Sequence, residues 1–161
     1  MRFAPVSQWE ETVAKHIVHA AFRVHNQLGP GLLEKVYEIC LCYELRKAGL
    51  IVRRQIEIPV VYDGMIFEEA FQLDVLVEDL AICELKAVDE LNPVWEAQVL
   101  SHLKLTGKRL GFLINFNVPL IKKRNKKVRR ISLRAALCLC ALVANSFAAK
   151  APRHEAAPHQ E

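Results

Sequence analysis

In the segment LAICELKAV, residues 80–88, Glu84 and Lys86 are the only charged groups in an otherwise apolar run. Alternation along a strand puts residues two apart on one face, their backbone positions about 6–7 Å from each other. A carboxylate buried alone costs several kcal/mol unless it finds a partner. Asp74 on the preceding strand is a candidate neighbour. A connection over residues 78–80 sets 74 directly opposite 84, with two carboxylates on one face. Like charges that close raise each other's pKa unless a cation sits between them. A hard divalent ion with oxygen ligands, Mg²⁺ or Mn²⁺, suits such a pair. Lys86 beside it can stabilise an oxyanion or orient a water. The plain alternative is a salt bridge from the lysine to either acid on a solvated sheet face.

Other polar groups are spaced to join this set. Gly31, Glu34 and Tyr37 fall at i, i+3 and i+6, along one face of a helix. Glu34 in a first helical turn is also favoured simply by the helix dipole. Gln98 shares a helix side with Trp95 and His102, and an amide on a largely apolar helix needs a partner. It either holds a water at a metal or caps a backbone group. His16 and His19 share a face but have no evident third ligand. Cys40-x-Cys42 and Cys138-x-Cys140 put their thiols on different sides of a helix, where core packing suits them better than chelation.

The elements that must position these groups can be read from periodicity. Trp9, Val13, Ile17, Ala20, Ala21, Val24 and Leu28 mark a first helix, stopped by Gly29-Pro30-Gly31. A second helix is expected over 32–48, with Leu33, Val36, Tyr37, Cys40 and Leu41 inward and Gly49 at its C-terminal end. The period then falls to two: Leu50, Val52, Ile56, Ile58 and Val60 alternate with polar residues. Asp63-Gly64 signals a hairpin. In the next strand Phe67, Phe71, Leu73, Val75 and Val77 are expected on one face, with Glu68, Gln72 and Asp74 on the other. A third strand follows over 80–88. Asn92-Pro93 opens a third helix that Gly107 closes. Residues 110–116 read as an interior strand, and residues 128–132 as a last edge strand. The order predicts an α/β sandwich around a mixed sheet, with no glycine-rich phosphate loop of the dinucleotide-binding kind.

Composition narrows the class of partner. The 161 residues suffice for one compact domain, and 52% hydrophobic content with 25% charged residues excludes wholesale disorder. The net charge of +4 is uneven. Residues 122–130 hold seven basic groups (Lys122, Lys123, Arg124, Lys126, Lys127, Arg129 and Arg130) and no acid, leaving 15 basic against 18 acidic groups elsewhere. A mildly acidic body with one basic segment favours a polyanionic partner, nucleic acid above all. The segment carries no interleaved aromatics, so base stacking is not indicated. The apolar run at 135–144 is ten residues, about half of the ~20 a membrane helix needs, and acids near the N-terminus argue against a signal peptide. Five cysteines without a Cys-x-x-Cys pair fit reduced thiols in a cytoplasmic protein.

These residues also carry a resemblance. GPGLLEKVYE looks like the signature of the GxxExxY family, with Gly31, Glu34 and Tyr37 in the named positions. The likeness extends from the first helix to about residue 131, through the LDVLVED and ICELKAV segments, EAQVLSHLKLTG and GFLINF. GxxExxY proteins resemble the PD-(D/E)xK nuclease superfamily. That implies a restriction-endonuclease-like α/β fold, an α-β-β-β-α-β core whose mixed sheet is flanked by helices. One domain over 1–132 is expected, with 133–161 as a tail outside the resemblance. The resemblance further implies Asp74, Glu84 and Lys86 as the central triad, Glu34 as the first-helix carboxylate and Gln98 as the glutamine of the following helix. Glu34, Asp74, Glu84 and the Leu85 carbonyl are then the expected ligands of Mg²⁺ or Mn²⁺. Leu73 stands where the superfamily's name puts a proline, and His102 where a tyrosine is expected. The function implied is metal-dependent hydrolysis of phosphodiester bonds in DNA or RNA; the alternative is a non-catalytic module of the same fold that binds nucleic acid or protein. Small nucleases that cut duplex often pair, which keeps a homodimer in view.

Overall fold

The computed structural model describes residues 5–119, 121 and 126–129. The expected tail, 133–161, lies outside the described residues. Helix α1 (Gln8–Leu28) starts at a capping box: the Ser7 hydroxyl accepts from Glu10 N–H, and the Glu10 carboxylate accepts from Ser7 N–H. It is followed by α2 (Glu34–Lys47), β1 (Val52–Tyr62), β2 (Met65–Val77), β3 (Ala81–Lys86), α3 (Pro93–Thr106), β4 (Leu110–Asn115) and β5 (Lys126–Arg129). The five strands form one sheet in sequence order. β1, β2 and β3 are antiparallel neighbours, β3 and β4 are parallel with α3 between them, and β5 is antiparallel to β4. This is the mixed, helix-flanked sheet that the order of elements predicts, a restriction-endonuclease-like α/β arrangement.

Two apolar layers hold it together. α1 and α2 cover one face through Val13, Ile17, Tyr37 and Leu41, packed on Val75, Cys83, Leu85 and Phe112. α3 covers the other through Val99 and Leu103, against Leu73, Leu76, Ile82 and Leu113. β3 is paired on both edges and covered on both faces, which explains its near-continuous apolar sequence. Gly111 lets α3 come this close: a Cβ there would meet Val99 Cγ1 at 2.7 Å.

The turn between β2 and β3 sets the register that matters. Glu78 and Asp79 both take left-handed backbone angles. Asp79 is held by Arg53 and Lys108 at 2.7 and 2.6 Å, and Glu78 accepts from Ile51 N–H at 2.6 Å. The resulting pairs are Val75 with Cys83, Leu76 with Ile82 and Val77 with Ala81.

Two local expectations are corrected. α2 begins at Glu34, and its buried side runs through Tyr37, Glu38, Leu41, Cys42 and Leu45. Leu33 is 78% exposed and Val36 also faces solvent, because the helix starts later than the hydrophobic run suggests. Along β2, Phe71 and Leu73 pack on the α3 side whereas Val75 and Val77 pack on the α1/α2 side. The alternation breaks at Asp74. The residue across from that break is Gln55, which has a left-handed φ of 49°, and the irregularity bends the strand as a bulge does. β5 pairs with β4 over Lys126–Arg129, which includes the first two residues of the expected edge strand; 130–132 lie outside the described residues.

Candidate metal-binding site between β2, β3 and α3

Glu84 is 3% exposed, on the face of β3 that looks toward α3. Its Oε1 accepts from Lys86 Nζ at 2.9 Å, on the same face two residues on. The Lys86 ammonium also lies 5.7 Å from the centre of the Trp95 ring, a cation–π contact from α3. Burial disfavours charge on Lys86, but the hydrogen bond to Glu84 and the negative fields of Glu84, Glu34 and Asp74 outweigh it and raise its pKa. The lysine is a fixed cation.

Asp74 enters from β2 where the β2–β3 ladder ends. Its Oδ2 accepts from Leu85 N–H at 2.8 Å, so a side chain continues the pairing that the backbone gives up. Burial first, then the charge of Glu84, pushes the Asp74 carboxyl up to about 6; the Leu85 N–H and Lys86 oppose the shift. The neighbouring strands therefore bring two carboxylates and a lysine together, and the local field resists ionisation of Asp74.

Glu34 approaches from the first turn of α2. Burial raises its pKa, while Lys86 and the backbone of Ala87, just past β3, pull it down. The Gly31 and Tyr37 positions explain how α2 is aimed. Tyr37 is fully buried and stacked on Phe116 at 4.6 Å. Its hydroxyl donates to Gly29 O at 2.7 Å and accepts from Leu32 N–H at 3.1 Å, closing the loop between α1 and α2. Gly31 within that loop has a φ of 98°, which side-chain-bearing residues rarely adopt. Gly31 therefore sits in the loop and not on a helix face with Glu34 and Tyr37, as the spacing suggested, and both residues shape the chain that leads into Glu34.

Gln98 lies half-buried on α3, one turn from Trp95 and one from His102; no hydrogen bond joins it to the acids or the lysine. The Leu85 side chain belongs to the α1/α2 core, and its N–H is the group that Asp74 holds. Of the basic segment, Lys122, Lys123, Arg124 and Arg130 lie outside the described residues, while Lys126, Lys127 and Arg129 are part of β5.

Two supports went unnoticed in the sequence. Glu38 is buried, accepting from Arg54 at 2.5 Å and from Gln55 at 2.6 Å, which grips β1 opposite Asp74. Asn115 is fully buried beside Lys86; its side chain accepts from Val88 N–H and donates to Val88 O, pinning the chain after β3. The signal for Asn115 was its position as the lone polar residue within residues 110–116. His102, whose role the sequence left open, is buried, stacked on Phe71 at 4.6 Å and turned toward Glu84. Burial, then the Lys86 charge, lowers its pKa, so at neutral pH the ring is uncharged and the contact is not an ion pair.

Among the described residues no three His, Cys, Asp or Glu side chains are gathered closely enough to hold a metal ion. What fits one is the state of the acids. Glu84 Oε2 is buried with no hydrogen-bond partner, and Asp74 resists ionisation beside it. A divalent cation relieves both conditions.

Residues 11–131 match a family model described as the PD-(D/E)XK nuclease superfamily, three-quarters of the chain. Searches of curated proteins and of solved structures gave no match. Among the described residues, no helix is long and apolar enough to cross a membrane.

Proposed function

Because the chain belongs to the PD-(D/E)XK nuclease superfamily, we propose that it is a metal-dependent nuclease of the GxxExxY type, hydrolysing phosphodiester bonds in DNA or RNA. The observation that carries this reading is the buried Glu84, bound to Lys86 on one oxygen and unsatisfied on the other, beside an Asp74 whose pKa is pushed up to about 6. Asp74 and Glu84, with Glu34 and the Leu85 carbonyl, are the groups that would hold Mg²⁺ or Mn²⁺. Such an ion, when bound, neutralises phosphate charge and makes water acidic enough to attack at neutral pH.

The chain's own residues do the rest. Lys86, held between Glu84 and Trp95, offers its remaining N–H groups to a non-bridging phosphate oxygen and steadies the charge that grows there. Gln98, one turn along α3 from Trp95, orients the attacking water. As that water's oxygen bonds to phosphorus, the bond from phosphorus to the leaving sugar oxygen breaks, leaving one phosphomonoester end and one hydroxyl end. The basic residues of 122–130, three of them on β5, track the substrate backbone. Cutting both strands of a duplex calls for two such sites, which a homodimer supplies.

The test is incubation of the full chain with labelled single- and double-stranded DNA and RNA in Mg²⁺, Mn²⁺ or EDTA, alongside Asp74→Asn and Lys86→Ala. Cleavage that needs the metal and falls by about 10²–10³-fold in each variant is expected. Binding without cleavage overturns the nuclease reading in favour of a binding module of the same fold. Full activity of Lys86→Ala overturns the lysine's role.

A further inference from the structure

His102 and Glu84 present two unsatisfied atoms to each other in the buried layer between α3 and β3. Nδ1 of the ring and Oε2 of the carboxylate are 3.7 Å apart, and neither has a hydrogen-bond partner. A buried polar atom without a partner costs about 1–3 kcal/mol, so two that face each other call for a shared occupant. The separation exceeds the ~3 Å of an N–H···O hydrogen bond, and a bridging water would hold its partners farther apart than this. Two metal–donor bonds of about 2.1 Å each span about 3.6 Å at the 120° of a five-coordinate ion and about 3.0 Å at the 90° of an octahedral one, so the pair has to close by at most about 0.7 Å on a bound ion.

The surroundings fix both donors. The other Glu84 oxygen belongs to Lys86 at 2.9 Å, which turns Oε2 toward α3. The His102 ring is held by its stack on Phe71, 4.6 Å between centres and 14° from parallel. A ligand whose orientation is set by packing is what a metal site requires.

We infer that His102 Nδ1 is a metal ligand beside Glu84 Oε2, turning an otherwise all-oxygen site toward first-row transition ions such as Mn²⁺ over Mg²⁺. A nitrogen donor favours such ions, whereas Mg²⁺ prefers carboxylate, carbonyl and water oxygens. The inference rests on the reading of Glu84 as a metal-holding group.

The probe is Mn²⁺ alone, titrated into the full chain and followed by electron paramagnetic resonance, with Mg²⁺ affinity measured by competition. In the unaltered protein, pulsed spectra of the bound ion should show coupling to a directly ligated imidazole nitrogen. In His102→Phe, which keeps a ring against Phe71, that coupling should vanish. Its Mn²⁺ Kd should rise by about tenfold or more, with a smaller change for Mg²⁺. His102→Gln serves as a second variant, and circular dichroism melting shows that each is folded. Mn²⁺ bound without nitrogen coupling overturns the inference, leaving an all-oxygen nuclease site and His102 as a packing residue. Coupling that persists in both variants also overturns it, since another histidine is then the ligand. If no Mn²⁺ binds, the inference falls. The nuclease reading falls with it only where metal-dependent cleavage is absent as well.

Discussion

Replacing Asp74 by Asn should stabilise the protein at neutral pH while removing its cleavage activity. The folded structure lifts this carboxyl from 3.8 to about 6. Above pH 6 it must therefore ionise in a place that resists the charge. The folded chain binds more protons than the unfolded chain between those two values, so stability falls as pH rises through that window and stays reduced above it. The displacement corresponds to about 3 kcal/mol, and the solvent that still reaches the half-buried side chain trims this to about 2 kcal/mol. Asn keeps an oxygen for Leu85 N–H, the 2.8 Å bond that Asp74 makes, and carries no charge. Urea unfolding in EDTA should show Asp74→Asn more stable than the parent by about 2 kcal/mol at pH 8, with little difference at pH 4. A variant no more stable at pH 8, or equally stabilised at both pH values, refutes the electrostatic reasoning.

Three further outcomes follow from the same geometry. Tyr37→Phe loses both hydrogen bonds to the loop before α2 and should lower stability by about 1–3 kcal/mol, read by denaturant titration, with metal-dependent cleavage weakened because Glu34 is less firmly aimed. Gly31→Ala places a side chain at a φ of 98° and should cost about 1–3 kcal/mol, visible as a lower melting temperature. Changing Lys126, Lys127 and Arg129 to Gln should weaken nucleic-acid binding on every sequence and flatten the plot of log affinity against log salt by about one unit per lost phosphate contact.

How much of this was legible in the sequence depends on how local each cause is. Asn92-Pro93 opened α3 and Asp63-Gly64 turned the β1–β2 hairpin, because capping and left-handed turn residues act within a few positions of themselves. The register that brings residue 74 near 84 followed from a three-residue connection, and the turn at 78–79 delivers it. The break at Asp74 was not legible. It depends on Gln55, a residue of left-handed φ on another strand, gripped by Glu38 from α2; no period in β2 records that contact. Leu33 and Val36 belong to a hydrophobic run that precedes the buried stripe of α2, which starts at Tyr37. Glu34, Glu84 and Lys86 could be singled out as polar groups in apolar or helix-start settings. That His102 would point at Glu84 could not, since its direction comes from the stack on Phe71.

On the reading proposed above, Asp74 and Glu84, arriving from adjacent strands, share a divalent cation. Crystals of the full chain soaked in Mn²⁺ and measured at the manganese absorption edge test it most directly. An anomalous peak in coordination distance of both Asp74 and Glu84, absent from Asp74→Asn crystals, is the predicted result. Soaked crystals with no peak there, and Glu84 still bound only to Lys86, would contradict it.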